Sequence, residues 1–189
     1  MKQDLNKMMC LDLYLSGTKN NTETTTEAYP NEDDSKVLPL ISWDVFSENY
    51  FQQLIDAKKA MDLKKIKAFA KHYGWKNNIS TLFKTNDFET IVLTNKAKKI
   101  IWVNEGFTTM TGYSKKETIG KTPRFLQGKK TSRRTIAEIE YRLKKDQPFQ
   151  TTVINYRKNK STYKCKVHII PLYDTKTTHY IALEQEVMH

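Results

Sequence analysis

Hydrophobic and polar positions change their spacing twice along this chain. Residues 16–38 are polar and rich in Thr, Asn, Asp and Glu. Such a stretch buries too little apolar area to offset its ordering entropy, and it predicts a flexible linker. The next stretch reads at helical spacing. Ser42 is a candidate N-cap, and apolar residues follow at Phe46, Tyr50 and Leu54. Asp62 is a candidate cap for a second helix. There Leu63, Ile66, Phe69, Ala70 and Tyr73 line one face and Lys64, Lys65, Lys67 and Lys71 the other, with Gly74 as the stop. A basic amphipathic helix of this kind can lie on a membrane. Packing on its own domain or on a second copy is the favoured reading.

From Phe88 the period shortens. Ile91–Thr94 and Lys99–Asn104 read as the two strands of a hairpin around Asn95–Lys98. Short helical pieces follow at Glu105–Thr111 and Ser114–Ile119, the second opened by a Ser114/Glu117 capping box. A longer helix starts near Thr131 or Ser132, with Ile136, Ile139 and Leu143 on its buried face. Strands at Phe149–Arg157, Tyr163–Tyr173 and His179–Val187 close the chain. The organisation is a flexible segment over 1–40, a helical extension over 41–85 and a domain over 86–189. The domain's order is ββ, three or four helices, βββ.

Composition narrows the class. The 189 residues are 38% hydrophobic, enough for one core. No apolar run approaches the roughly 20 residues that cross a bilayer. The apolar run Met8–Leu15 is short, carries Asp12 and lacks a cleavage site, so no signal peptide is read and a cytoplasmic location is expected. Residues 1–35 hold three lysines and seven acidic residues, so they carry −4 of the +11 total and the remainder carries +15. A basic body can bind nucleic acid. Lysine greatly outnumbers arginine, however, and no arginine cluster occurs, so a solvated lysine surface is the preferred reading and no nucleic-acid partner is expected. Cys10 and Cys165 have no Cys or His at zinc spacing and are read as free thiols.

Enzyme signatures are missing. The domain has no dinucleotide-binding or phosphate-binding glycine loop and no Gly-x-Ser-x-Gly elbow. The histidines at 72, 168, 179 and 189 pair with nothing at metal spacing, and His168 falls inside a strand. Cys165 shares strand parity with Tyr163 and Val167, which places it inward as a small apolar residue. No enzymatic activity is expected.

The element order resembles the PAS fold, an α+β fold with a five-stranded antiparallel sheet and helices on one face, here preceded by an N-terminal helical extension. Trp102–Ser114, with its Asn104…Phe107…Thr111-Gly112-Tyr113-Ser114 pattern, is similar to the strand-to-helix passage of PAS domains. Gly120–Gly128 resembles the signature of the light-oxygen-voltage (LOV) branch, with Arg124 to Gly128 matching consecutively. Asn155-Tyr156-Arg157-Lys158 is similar to that branch's strand. The resemblance runs from about Phe88 to Val187. It implies a flavin site on Arg124, Gln127 and Asn155, with Thr122, Cys165 and Glu184 at its other contact positions.

Against that pattern the sequence departs repeatedly. Where the branch carries the thiol that adds to flavin, this chain has Pro123. Thr122 and Cys165 stand where asparagines are implied, Glu140 where a phosphate-binding arginine is implied, and Glu184 where a glutamine is implied. Each lost polar contact is worth about 1 kcal/mol. Together they remove ~4 kcal/mol or more, a thousandfold in affinity. The photocycle is therefore excluded, and no cofactor, flavin included, is expected. Arg124 has an alternative partner in Glu140 or Glu184, Phe125 and Leu126 can anchor the turn, and Gly128 can adopt a positive φ. The expected function is a stand-alone sensory PAS domain acting through a homodimer or a separate signalling protein, with the helices at 42–59 and 62–73 as the interface. A small-molecule sensor and a nucleic-acid-associated regulator are the alternatives.

Overall fold

The computed structural model describes residues 39–187. The chain divides into two units between Phe46 and Ser47, and the packing below is that of the second. Expectations for residues 1–38, including Cys10, lie outside the described residues.

The elements are α1 (Pro39–Tyr73), α2 (Ile79–Thr85), β1 (Thr90–Asn95), β2 (Ile100–Val103), α3 (Glu105–Thr111), α4 (Lys115–Thr118), a 3-10 turn (Pro123–Leu126), α5 (Arg133–Lys144), β3 (Phe149–Tyr156), β4 (Thr162–Tyr173) and β5 (Thr177–Glu186). The strands form one antiparallel sheet in the order β2-β1-β5-β4-β3. This is the expected α+β architecture with its helical extension.

Strand parity sorts the sheet into two faces. The ladder sets Thr90 opposite Glu184, Val92 opposite Ala182 and Thr94 opposite Tyr180. Glu184 in turn opposes Val167. These residues, with Tyr163 and Cys165, share the face toward α3–α5. The other face presents Ile91, Leu93, Ile170, Leu172, Ile181 and Leu183, and Ile66, Trp75, Ile79 and Phe88 pack onto it. Burying a side chain of this size contributes about 1.5–3 kcal/mol.

The basic helix face is therefore satisfied within the domain. Ile66 is buried against the sheet while Lys64, Lys65, Lys67 and Lys71 stay exposed. One half of the expected dimer interface, 62–73, is used this way. The half upstream leaves Tyr50, Phe51, Leu54, Ile55 and Met61 exposed.

Two boundary expectations are corrected. The helices at 42–59 and 62–73 are one helix, so Ser42 and Asp62 are internal rather than caps. No Pro or Gly interrupts residues 43–73, so nothing stops the helix until Gly74, which sits at φ +69°. Asp62 works sideways instead: its carboxylate accepts from Asn104 Nδ2 at 2.9 Å.

Asn104 joins three elements. Its Oδ1 accepts from Ile91 N at 3.0 Å and from Phe107 N at 3.1 Å, capping α3. Its Nδ2 also donates to the Glu89 carbonyl at 3.2 Å. All four hydrogen-bonding positions of this buried amide are filled.

A candidate ligand cavity under helix α5

Thr122 enters the 3-10 turn extended, and Pro123 occupies its first residue, where a missing N–H costs nothing. Leu126 buries among Val92, Ile100, Val103 and Phe107. Phe125 packs edge-on against Tyr113, ring centroids 5.0 Å apart. These two anchors leave Arg124 directed outward, where it pairs with Glu140 of α5. The expected alternative, Glu184, is not its partner.

Gly128 does not have a positive φ, contrary to expectation. Its requirement is space. A Cβ there would lie 2.5 Å from Tyr156 Cε2. The loop beside it is fastened to β3: Gly128 N donates to Thr131 Oγ1 at 2.9 Å, Thr131 Oγ1 donates to the Ile154 carbonyl at 2.6 Å, and Lys130 N donates to the Tyr156 hydroxyl at 2.9 Å. Ser132 Oγ then caps α5 by accepting from Thr135 N at 3.3 Å.

No residue of α5 is fully buried. Its apolar stripe, Ile136, Ile139 and Leu143, was expected to be a buried face. It lines a cavity of about 340 Å³ instead. Val92, Ile169 and Ala182 from the sheet form part of the opposite wall. Tyr180 also lines it, and its hydroxyl donates to Asp146 Oδ1 at 2.7 Å, tying β5 to the end of α5. Burial, with that bond to Asp146, pushes the phenol up to about 12.

Glu184 lies on the inner wall, 5% exposed. Burial raises its carboxyl to about 7. The side-chain partner it has is weak, the Cys165 thiol, with Sγ to Oε2 at 3.7 Å. Burial first, and the Glu184 charge second, push that thiol far above its ordinary value, so it stays S–H at neutral pH. Cys165 is a free cysteine.

The structure thus brings Thr122, Arg124, Gln127 and Glu184 to one cavity. Asn155 and Cys165 do not line it. Both are buried, Cys165 behind Glu184 and Asn155 across from Tyr163 in the β3–β4 ladder. The Tyr163 hydroxyl is buried without a hydrogen-bond partner among the described residues. Lys98, Thr94, Tyr180 and Ile169 also line the cavity and were missed. Their signal was strand parity, which becomes readable once the β1–β5 and β4–β5 registers are known. Among the described residues, no group of three His, Cys, Asp or Glu side chains is placed to hold a metal ion, and no helix is long and apolar enough to cross a membrane.

Comparison with known proteins places this geometry. The chain is 36% identical over 88 residues to the TWIN LOV 1 protein of Arabidopsis thaliana, covering 45% of this chain and 22% of that protein. It is 32% identical over 101 residues to the blue-light photoreceptor of Listeria innocua, covering 51% of this chain and 40% of that protein. The chain thus spans less than half the length of these curated relatives. A light-oxygen-voltage domain solved in work on a flavin analogue shares the fold, with a TM-score of 0.54 and 24% identity over 60% of this chain and 87% of that one. These matches overturn the expectation of no cofactor, because they are to a blue-light photoreceptor and to LOV proteins, one studied with a flavin analogue. The sequence argument summed the lost contacts, but it did not foresee that α5 would leave an apolar cavity open in the same place. Residues 89–187 match the PAS domain family, and the chain belongs to that family.

Proposed function

We propose that this chain is a sensory module that binds a flavin-class planar heterocycle non-covalently under α5 and signals through protein contacts, without catalysis. The observation that carries the reading is the cavity itself. A helix whose apolar stripe stays half-exposed, facing a buried carboxyl with only a thiol for a partner, is an arrangement a ligand completes. The residues present fit the ring part of a flavin. Val92, Ile136, Ile139 and Ile169 supply apolar walls, and Thr122, Gln127 and Glu184 supply hydrogen-bonding groups. A bound flavin would supply blue-light absorption.

The lining offers no nucleophile to such a ring. Pro123 has none, and the Cys165 thiol is off the lining and held protonated. In this reading the response to light or redox state proceeds without a cysteinyl bond. Output passes through the exposed apolar positions of α1, Tyr50, Phe51, Leu54, Ile55 and Met61, against a second copy or a separate signalling protein. The test is an absorbance scan and native mass measurement of the full chain after incubation with flavins and gel filtration. Flavin absorbance that co-elutes with protein, with no denaturation-resistant adduct after blue light, supports the reading. Absence of flavin uptake at micromolar protein overturns it.

A further inference from the structure

The charges on the cavity lining discriminate among flavins. Arg124 and Glu140 both line the cavity, both are partly exposed to solvent, and they form an ion pair with each other. They therefore stand where the cavity opens. The other cation on the lining is Lys98, from the β1–β2 turn, and the other carboxyl is Glu184 on the inner wall. Cations and carboxyl groups are equal in number, so the lining holds no excess positive charge.

A phosphate monoester brings about −1.5 to −2 charges at neutral pH. To reach the guanidinium it must displace the Glu140 carboxylate, and it then sits beside that like charge. A polyol tail meets neither obstacle. Its hydroxyls donate to Glu140 and accept from Arg124 with the pair intact. We infer that the cavity selects a flavin whose tail is not phosphorylated, with the Arg124–Glu140 pair at its opening as the charge filter.

The inference rests on the flavin reading above, and the test separates the two. Full-length protein freed of small molecules is titrated with riboflavin and with flavin mononucleotide, following flavin fluorescence at low and at physiological salt. The wild-type chain is expected to bind riboflavin at least as tightly as the mononucleotide. In Glu140→Arg the affinity ratio shifts tenfold or more toward the mononucleotide, and that shift shrinks with added salt. Glu140→Gln, a nearly isosteric change, shifts the ratio in the same direction by less. A wild-type preference for the mononucleotide of tenfold or more overturns the inference, as does a ratio that neither variant moves. A mononucleotide preference that disappears in Lys98→Ala also overturns it, since Lys98 would then set the selection. If neither flavin binds, the flavin reading fails and the inference falls with it. If both bind with the mononucleotide ahead, the filter alone fails.

Discussion

Replacing Glu184 by Gln tests the most unusual electrostatic feature of this domain. Glu184 is almost fully buried, and its carboxyl sits at about 7 rather than the ordinary 4.5 because burial penalises the charge. Below pH 4.5 the folded and unfolded chains both hold the proton. Between 4.5 and 7 the folded chain keeps it and the unfolded chain has lost it, so stability falls as pH rises. Above 7 both are ionised and the fall is complete. At about 1.4 kcal/mol per pH unit, ionised Glu184 costs the fold roughly 3 kcal/mol. Glutamine has nearly the same shape, and its carbonyl can still accept from the Cys165 thiol. Groups elsewhere titrate alike in both proteins and cancel in the difference. Urea denaturation of wild type and Glu184→Gln at pH 4.5, 6, 7 and 8 is the assay. The variant should gain about 3 kcal/mol on wild type between the lowest and highest pH, with most of the change complete by pH 7. A difference that stays within about 0.5 kcal/mol across that range would refute the account of Glu184 as a buried carboxyl with too few partners.

Three other substitutions probe the scaffold and the cavity. Asn104→Ala removes a helix cap and strands the buried Ile91 N–H; a loss of about 2–4 kcal/mol is expected by denaturant titration. Gly128→Ala forces the Tyr156 ring away from a Cβ that would approach to 2.5 Å, costing about 1–3 kcal/mol, and the cost should shrink when Tyr156→Ala is added in a double-mutant cycle. Ile139→Trp fills the cavity beneath α5; it should abolish flavin uptake in gel filtration while the melting temperature stays level or rises.

The sheet and its helices were legible because local rules act independently of the ligand. The Ser114/Glu117 capping box, the Ser132 cap and the inward parity of Tyr163, Cys165 and Val167 follow from short-range geometry, and each occurs. The helical extension was legible in its apolar stripe, and its partner was not. That Ile66 and Trp75 cover Ile91 and Leu183 depends on which sheet face is left open, a tertiary fact. Gly128 was assigned a conformational role when its reason is the Tyr156 ring 28 residues away in the chain. The cavity escaped for a related reason. Ile136, Ile139 and Leu143 have the spacing of a core face, and periodicity cannot distinguish a helix that closes on the sheet from one that stands off it. Summing lost contacts at Thr122, Cys165 and Glu184 treated the site as a list of residues. Two of the six, Asn155 and Cys165, prove to lie off the lining, so their identity bears on the cavity only through neighbours.

Hydrogen bonds continue from the cavity wall to the long N-terminal helix. The Glu184 carbonyl accepts from Glu89 N at 2.9 Å, and the Glu89 carbonyl accepts from Asn104 Nδ2 at 3.2 Å. The same nitrogen donates to Asp62 on α1 at 2.9 Å. One amide therefore reads both the strand beside Glu184 and the helix that covers the opposite sheet face. Spatial continuity alone does not establish coupling, which requires both ends to bias one element. Asp62→Ala supplies the test, because it removes the link to α1 while leaving the bonds from Asn104 to Glu89, Ile91 and Phe107 in place. If a ligand under α5 acts on α1 through this path, hydrogen exchange of amides 47–61 in the wild type should change on flavin saturation. In Asp62→Ala that change should fall to less than half while flavin affinity stays within about threefold, equivalent to ~0.7 kcal/mol. An undiminished change in Asp62→Ala would show that α1 responds through its apolar contacts on Leu93 and Ile181, and that the Asn104 amide serves the fold alone.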